Sequence, residues 1–114
     1  MELEITEQQG VRIIKIPVSY LESRNVEEFY NAILDEVYQE NATGYCIDLQ
    51  NVTSMDSHGL STFLKVARLM GAKERFCLIN VCDSIQRMFT MTHVDQVVNI
   101  VSGPQQAMEY LQEG

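Results

Sequence analysis

Ile47-Asp48-Leu49-Gln50-Asn51-Val52-Thr53-Ser54-Met55-Asp56-Ser57-His58-Gly59-Leu60 reads as the end of one element, a polar loop and the start of another. Upstream, Tyr45-Cys46-Ile47-Asp48-Leu49 is short and mostly apolar, the pattern of a buried strand. Downstream, Leu60, Phe63, Leu64, Ala67 and Met70 recur at helical spacing, with Ser61, Lys65 and Arg68 on the opposite side. The periodicity predicts a helix from about Ser57 to Met70, ended by Gly71. Between the two, Gln50 to Asp56 form a loop. The junction therefore puts a lone hydroxyl, Ser57, at a helix N-terminus.

The same alternation extends in both directions. Leu3 and Ile5 alternate with acids, Gln9-Gly10 makes a turn, and Val11 to Ile16 give a second strand that Pro17 ends. Val26, Phe29, Ile33 and Val37 form an apolar helical stripe that Ser23 or Asn25 can cap and Asn41-Ala42-Thr43-Gly44 stops. Phe76 to Val81 read as a strand. Asp83 or Ser84 then cap a helix reaching about Met91, with Ile85, Met88 and Phe89 inward. Val97 to Val101 read as a last strand, followed by a helix capped by Ser102 with Pro104 in its first turn and Ala107, Met108 and Leu111 apolar. Met55, Met70, Met88, Met91 and Met108 fall at stripe positions and read as core filler. The expected fold is α/β, a mixed sheet of about five strands backed by about four helices, in one domain over residues 1–114.

Bulk composition narrows the possible functions. An apolar fraction of 46% is enough for one core, and the net charge is −8. Residues 1–56 carry eleven acids and three Lys/Arg, whereas residues 57–114 carry five of each, so the negative potential belongs to the first half. Such a chain is repelled by nucleic acid and by anionic membrane surfaces. A solvated acidic face and a docking surface for a basic partner both fit the asymmetry. The start Met1-Glu2-Leu3-Glu4 has no secretory pattern and no apolar run is long enough to cross a bilayer, which points to the cytoplasm without membrane insertion. Cys46, Cys77 and Cys82 lack CxxC spacing and suit a reducing compartment, with Cys46 and Cys77 expected as buried thiols.

Catalytic patterns do not appear. The glycines fit neither a phosphate loop nor a dinucleotide fingerprint, and no serine sits in a GxSxG elbow. Ser57 and His58 are neighbours at a helix start, about 100 degrees apart around the axis, so His58 is badly placed to take the Ser57 proton. His58 reads as an exposed first-turn residue or part of a partner surface. Neither His58 nor His93 has a metal-ligand partner at helical spacing, and no metal or cofactor is expected. Ser57 can be acted upon instead. Helix N-termini offer unpaired N–H groups and a partial positive charge of roughly half a unit. A phosphate there leaves the fold intact while adding about 1.5 to 2 negative charges. On helix physics alone, Asp56 or Ser57 can equally be a simple N-cap.

The run from Ile47 to Leu60 resembles the signature of STAS domains, most closely that of bacterial anti-sigma factor antagonists. There an apolar strand ending in Asp-Leu is followed by a loop and then by Met-Asp-Ser-(Ser/Thr)-Gly-Leu opening a helix. Ser84-Ile85-Gln86-Arg87-Met88-Phe89-Thr90-Met91 is similar to the family's helix with an Arg-x-(Leu/Met)-Phe core, and the element order matches along essentially the whole chain. The resemblance implies a binding protein rather than an enzyme. Ser57 matches the phosphoacceptor and Asp56 the acid before it; Asp56, Ser57, His58, Gly59 and Ser61 form the expected partner-binding switch region. The implied partner is an anti-sigma factor with serine kinase activity, bound when Ser57 is unmodified and released when it is phosphorylated. A PP2C-type serine phosphatase resets the chain, which is expected to be a monomer when free. A STAS scaffold or transport-system subunit working without a sigma factor is the alternative. The sequence departs from the family pattern twice. His58 stands where Ser or Thr is usual, and Val18-Ser19-Tyr20-Leu21-Glu22 replaces a Gly-Glu-Leu-Asp-like stretch.

Overall fold

The computed structural model of the chain describes residues 1–38, 44–73 and 75–112. Strands β1 (Glu4–Gln8) and β2 (Val11–Lys15) form an antiparallel hairpin in which Gln8 faces Val11. Its turn residues, Gln9 and Gly10, take positive φ of 53° and 85°, the twist that suits a two-residue hairpin loop. A two-residue strand, β3 (Tyr20–Leu21), precedes α1 (Val26–Tyr38), and β4 (Gly44–Asp48) then pairs parallel with β2. A second short strand, β5 (Ser54–Met55), leads into α2 (Ser57–Lys73). Strand β6 (Arg75–Ile79) pairs parallel with β4, and α3 (Asp83–Met91) and α4 (Pro104–Gln112) complete the order. The main sheet runs β1-β2-β4-β6, and β3 and β5 make a separate parallel ribbon.

Strand alternation divides the core. Ile14, Ile47 and Leu78 meet in register and point to the face covered by α1, α2 and α3. Val11, Cys46, Cys77 and Ile79 point to the other face, which α4 covers with Ala107, Met108 and Leu111. On the first face, one aromatic column joins the three helices. The Phe29 and Phe63 rings stack at 6.3 Å with an interplanar angle of 6°, and Phe63 stacks on Phe89 at 5.4 Å. All three rings are fully buried. The carboxylate of Asp48, at the end of β4, is the one buried acid among the described residues; it accepts bonds from the Gln50 N–H at 2.9 Å and the Asn80 amide at 3.1 Å.

Several boundaries differ from the sequence expectation. Helix α2 continues through Gly71 to Lys73, because a mid-helix glycine costs only about 1 kcal/mol and the turn before it is anchored by fully buried Met70. Strand β6 stops at Ile79, where Asn80 turns the chain with a φ of 58°. The strand expected over Val97 to Val101 shrinks to one parallel bridge between Leu78 and Ile100. A 3-10 turn, Val94–Gln96, takes up the chain before it and buries Val94 and Val98. Cys82, not Asp83 or Ser84, occupies the N-cap of α3, and Gly103, whose carbonyl accepts the Ala107 N–H, stands in that position for α4. Asn25 precedes α1, but its side chain turns back to the Glu22 N–H and the Tyr20 carbonyl. Met91 is not core filler: it lies in the last turn of α3 and is 80% exposed. The stop expected at Asn41-Ala42-Thr43 lies outside the described residues, and Gly44 is the first residue of β4.

Phe63→Ala removes the middle ring of the column, so it loses stacking on both sides as well as burial. A loss of about 3–5 kcal/mol is expected from the chemical denaturation midpoint. A loss below about 1 kcal/mol would show that the three helices do not depend on this contact.

Candidate functional site

The site grows from the β3–β5 ribbon. Tyr20 pairs with Ser54 and Leu21 with Met55, so the segment before α1 lies beside the loop that feeds α2. The Thr53 N–H donates to the Ser19 carbonyl at 2.7 Å, and the Asp56 N–H donates to the Leu21 carbonyl at 3.1 Å. From the other side, the Ser84 hydroxyl donates to the Thr53 carbonyl at 3.0 Å, and Cys82 Sγ lies 3.5 Å from the Val52 carbonyl. The loop is therefore held from both flanks before the helix begins.

Asp56 occupies the N-cap of α2. Its Oδ1 accepts the Gly59 N–H at 2.8 Å, and its backbone carbonyl accepts the Leu60 N–H at 2.9 Å. Its Oδ2 reaches across and accepts the Ser23 N–H at 3.2 Å. The Gly59 N–H, with smaller help from Ser23 and His58, holds the Asp56 carboxyl below the usual carboxylate range. Ser57 is the first residue of the helix and is exposed, as are His58 and, one turn on, Ser61. Gly59 alone of the expected site residues faces inward. A Cβ there would lie 2.1 Å from the Leu21 carbonyl oxygen and 2.7 Å from its carbon, both backbone atoms.

Four of the five expected residues are thus exposed over the cap and the first turns of α2, and the fifth permits the helix start to sit against β3. Sequence reasoning missed the contribution of residues 19–23. Leu21 and Ser23 have no motif of their own; the one signal there was the departure of Val18 to Glu22 from the family pattern. Among the described residues, no group of three or more His, Cys, Asp or Glu is placed to hold a metal ion, and no helix is long and apolar enough to cross a membrane.

A mixed sheet with helices on both faces, and a helix N-terminus presented at the end of a strand–loop unit, define a class of small α/β domains. The STAS domain pattern matches residues 2–107, and the chain belongs to the STAS domain family. A Thermotoga maritima protein provisionally named an anti-sigma factor antagonist is 24% identical over 98 residues, 85% of this chain and 87% of that one. The crystal structure of a Thermotoga maritima protein so described superposes with a TM-score of 0.85 at 22% identity, covering 96% of this chain and 94% of that one. The phosphorylated form of SpoIIAA, a cell fate determinant of Bacillus, superposes at 0.67 with 17% identity over 97% of this chain and 100% of its own. The fold also occurs within the murine anion transporter Slc26a9, with a TM-score of 0.82, 16% identity and coverage of 96% of this chain but 19% of the transporter.

Two outcomes follow from the geometry. Gly59→Ala forces its new methyl into the Leu21 backbone, which cannot swing away, and is expected to cost about 1–3 kcal/mol or more in urea denaturation. Unchanged stability would mean that α2 and β3 do not approach as described. Asp56 has a lowered folded-state pKa, so its stabilising bonds are fully present above the unfolded carboxylate pKa, about 3.9. They are lost as pH falls through the folded value. Asp56→Asn should remove that component, and the denaturation midpoints of the two proteins should converge in acid after separating near neutrality. Parallel curves through the acid range would contradict the assignment.

Proposed function

We propose that this chain is an anti-sigma factor antagonist working as a phosphorylation-controlled binding protein. Unmodified, it sequesters an anti-sigma factor that is also an ATP-dependent serine kinase, and so frees a sigma factor. Phosphorylated on Ser57, it releases that partner, and a PP2C-type serine phosphatase restores the binding form. Asp56, Ser57, His58, Gly59 and Ser61 form the switch region; the chain acts in the cytoplasm, as a monomer when free, and supplies no catalytic group.

One observation carries this reading. Ser57 is exposed at the first position of α2, directly after a carboxylate that already caps the helix. The hydroxyl is therefore not needed as the cap, and a phosphate on it would meet the positive end of the helix without breaking the fold. The names of the antagonist relatives support the class of partner. The likeness to part of an anion transporter favours the second reading, a STAS scaffold or transport-system subunit that needs no sigma factor.

Substitution at Ser57 separates the two. Ser57→Ala leaves Asp56 to cap the helix, so it should cost at most about 1 kcal/mol of stability and bind the anti-sigma factor permanently. Ser57→Asp should fold as well as the parent chain. It should nonetheless bind the same partner about a hundredfold more weakly, a penalty of about 2.8 kcal/mol. Calorimetric titration of both variants measures this. Equal affinities in two folded variants would leave Ser57 as a surface residue and favour the second reading.

A further inference from the structure

Cys46 and Cys77 are Cα partners in the parallel ladder of β4 and β6, and both side chains leave the sheet on the face that α4 covers. Both thiols are free and fully buried. Neighbouring strands lie about 4.8 Å apart, and a disulfide bridges Cα separations of about 4.4 to 6.8 Å. The spacing of the ladder is therefore already within reach of a bridge. The two sulfurs also meet, the Cys46 S–H donating to Cys77. That bond holds the Cys77 thiol below its ordinary range; the same bond, together with burial, pushes Cys46 up. One sulfur is thus inclined to react as the thiolate, and the other stands beside it as a thiol. This is the relation of a nucleophilic to a resolving cysteine. Cys82 differs: it is partly exposed at the start of α3, and its sulfur lies against the Val52 carbonyl and the Ser84 hydroxyl.

We propose that Cys46 and Cys77 form an intramolecular redox pair, joined as a disulfide by a hydroperoxide admitted when α4 lifts. The Cys77 thiolate attacks the peroxide and the O–O bond breaks. Cys77 becomes a sulfenic acid, and the departing alkoxide or hydroxide takes up the proton that Cys77 gave up. The Cys46 sulfur then displaces the sulfenic oxygen, which leaves with the Cys46 proton as water. In sum, two thiols are oxidised, one hydroperoxide is reduced to an alcohol and water, and one S–S bond forms. Hydrogen peroxide gives two waters by the same route. Access is set by one element, since Ala107, Met108 and Leu111 of the nine-residue helix α4 cover the pair. Hydrogen peroxide is small and uncharged, so the net charge of −8 does not repel it. The inference is independent of the role given to Ser57.

The test uses the full chain carrying Cys82→Ser, which leaves Cys46 and Cys77 as its two thiols. The folded protein is treated with hydrogen peroxide, blocked with iodoacetamide and digested with trypsin without reductant. Cleavage after Lys65 and Arg75 puts Cys46 and Cys77 on separate peptides. The expected product is a linked pair of peptides from one chain, two hydrogens lighter than the free peptides together and separated again by dithiothreitol. Cys46→Ser should leave Cys77 as a sulfenic acid that dimedone traps, whereas Cys77→Ser should leave Cys46 as a thiol. Leu111→Ala loosens the cover and should speed closure at least about tenfold in the folded protein. Met108→Ala gives the same comparison should Leu111→Ala not fold. No linked pair, a link between two chains, a link formed only in urea, dimedone on Cys46 in place of Cys77, or a closure rate indifferent to loosening of α4 would each overturn the proposal.

Discussion

The carboxylate of Asp56 is the contact on which the arrangement of the site depends. One oxygen caps the start of α2 by accepting the Gly59 N–H, and the other accepts the Ser23 N–H from a segment 33 residues earlier. The backbone of Asp56 adds a third tie, to the Leu21 carbonyl. A single residue thus determines where α2 begins, how the ribbon of β3 and β5 lies against it, and which hydroxyl is left outside. The absence of a side chain at Gly59 is the other half of this arrangement, since the Leu21 backbone occupies the space a methyl would need. The exposed position of Ser57 is a consequence of both.

How much of this was legible in the sequence depended on the range of the forces involved. The stripe Leu60, Phe63, Leu64, Ala67 and Met70 located α2, and the Asp-Ser junction marked its start, because helical periodicity and capping are local. The hairpin turn at Gln9-Gly10 and the α/β class were readable for the same reason. The β3–β5 ribbon was not. Two residues per strand show no alternation, and their pairing is set by tertiary contacts between residues 19–23 and 53–56. The expected strand at Val97 to Val101 failed differently. Its valines and isoleucine have strand propensity, but Val94 in the 3-10 turn and Val98 just after it enter the core, and contact with the sheet is limited to one bridge at Ile100, made by the Asn99 carbonyl and the Val101 N–H to Leu78. Met91 misled because helical spacing continued past the point where α3 still faces the core.

The site residues divide along the same line. Asp56, Ser57, His58 and Ser61 were readable as a helix start, and Gly59 was named within the motif. The reason Gly59 is glycine could not be read, because the atom it would strike belongs to Leu21. Charge behaved similarly. The imbalance between the two halves of the chain was countable, whereas the pairing of Arg12 with Glu7 and Glu36, which leaves cationic character concentrated elsewhere, needed the packing of α1 against the sheet.

Far from Ser57, Cys46 and Cys77 stand opposite each other in the register of β4 and β6, both fully buried beneath α4. Hydrogen bonding to Cys77 and burial push the Cys46 thiol up, which keeps it in its unreactive protonated form. A thiol reagent reaches this pair only when α4 lifts. Their rate of labelling, read apart from that of the partly exposed Cys82, therefore times the detachment of one nine-residue helix with no cysteine introduced into the chain.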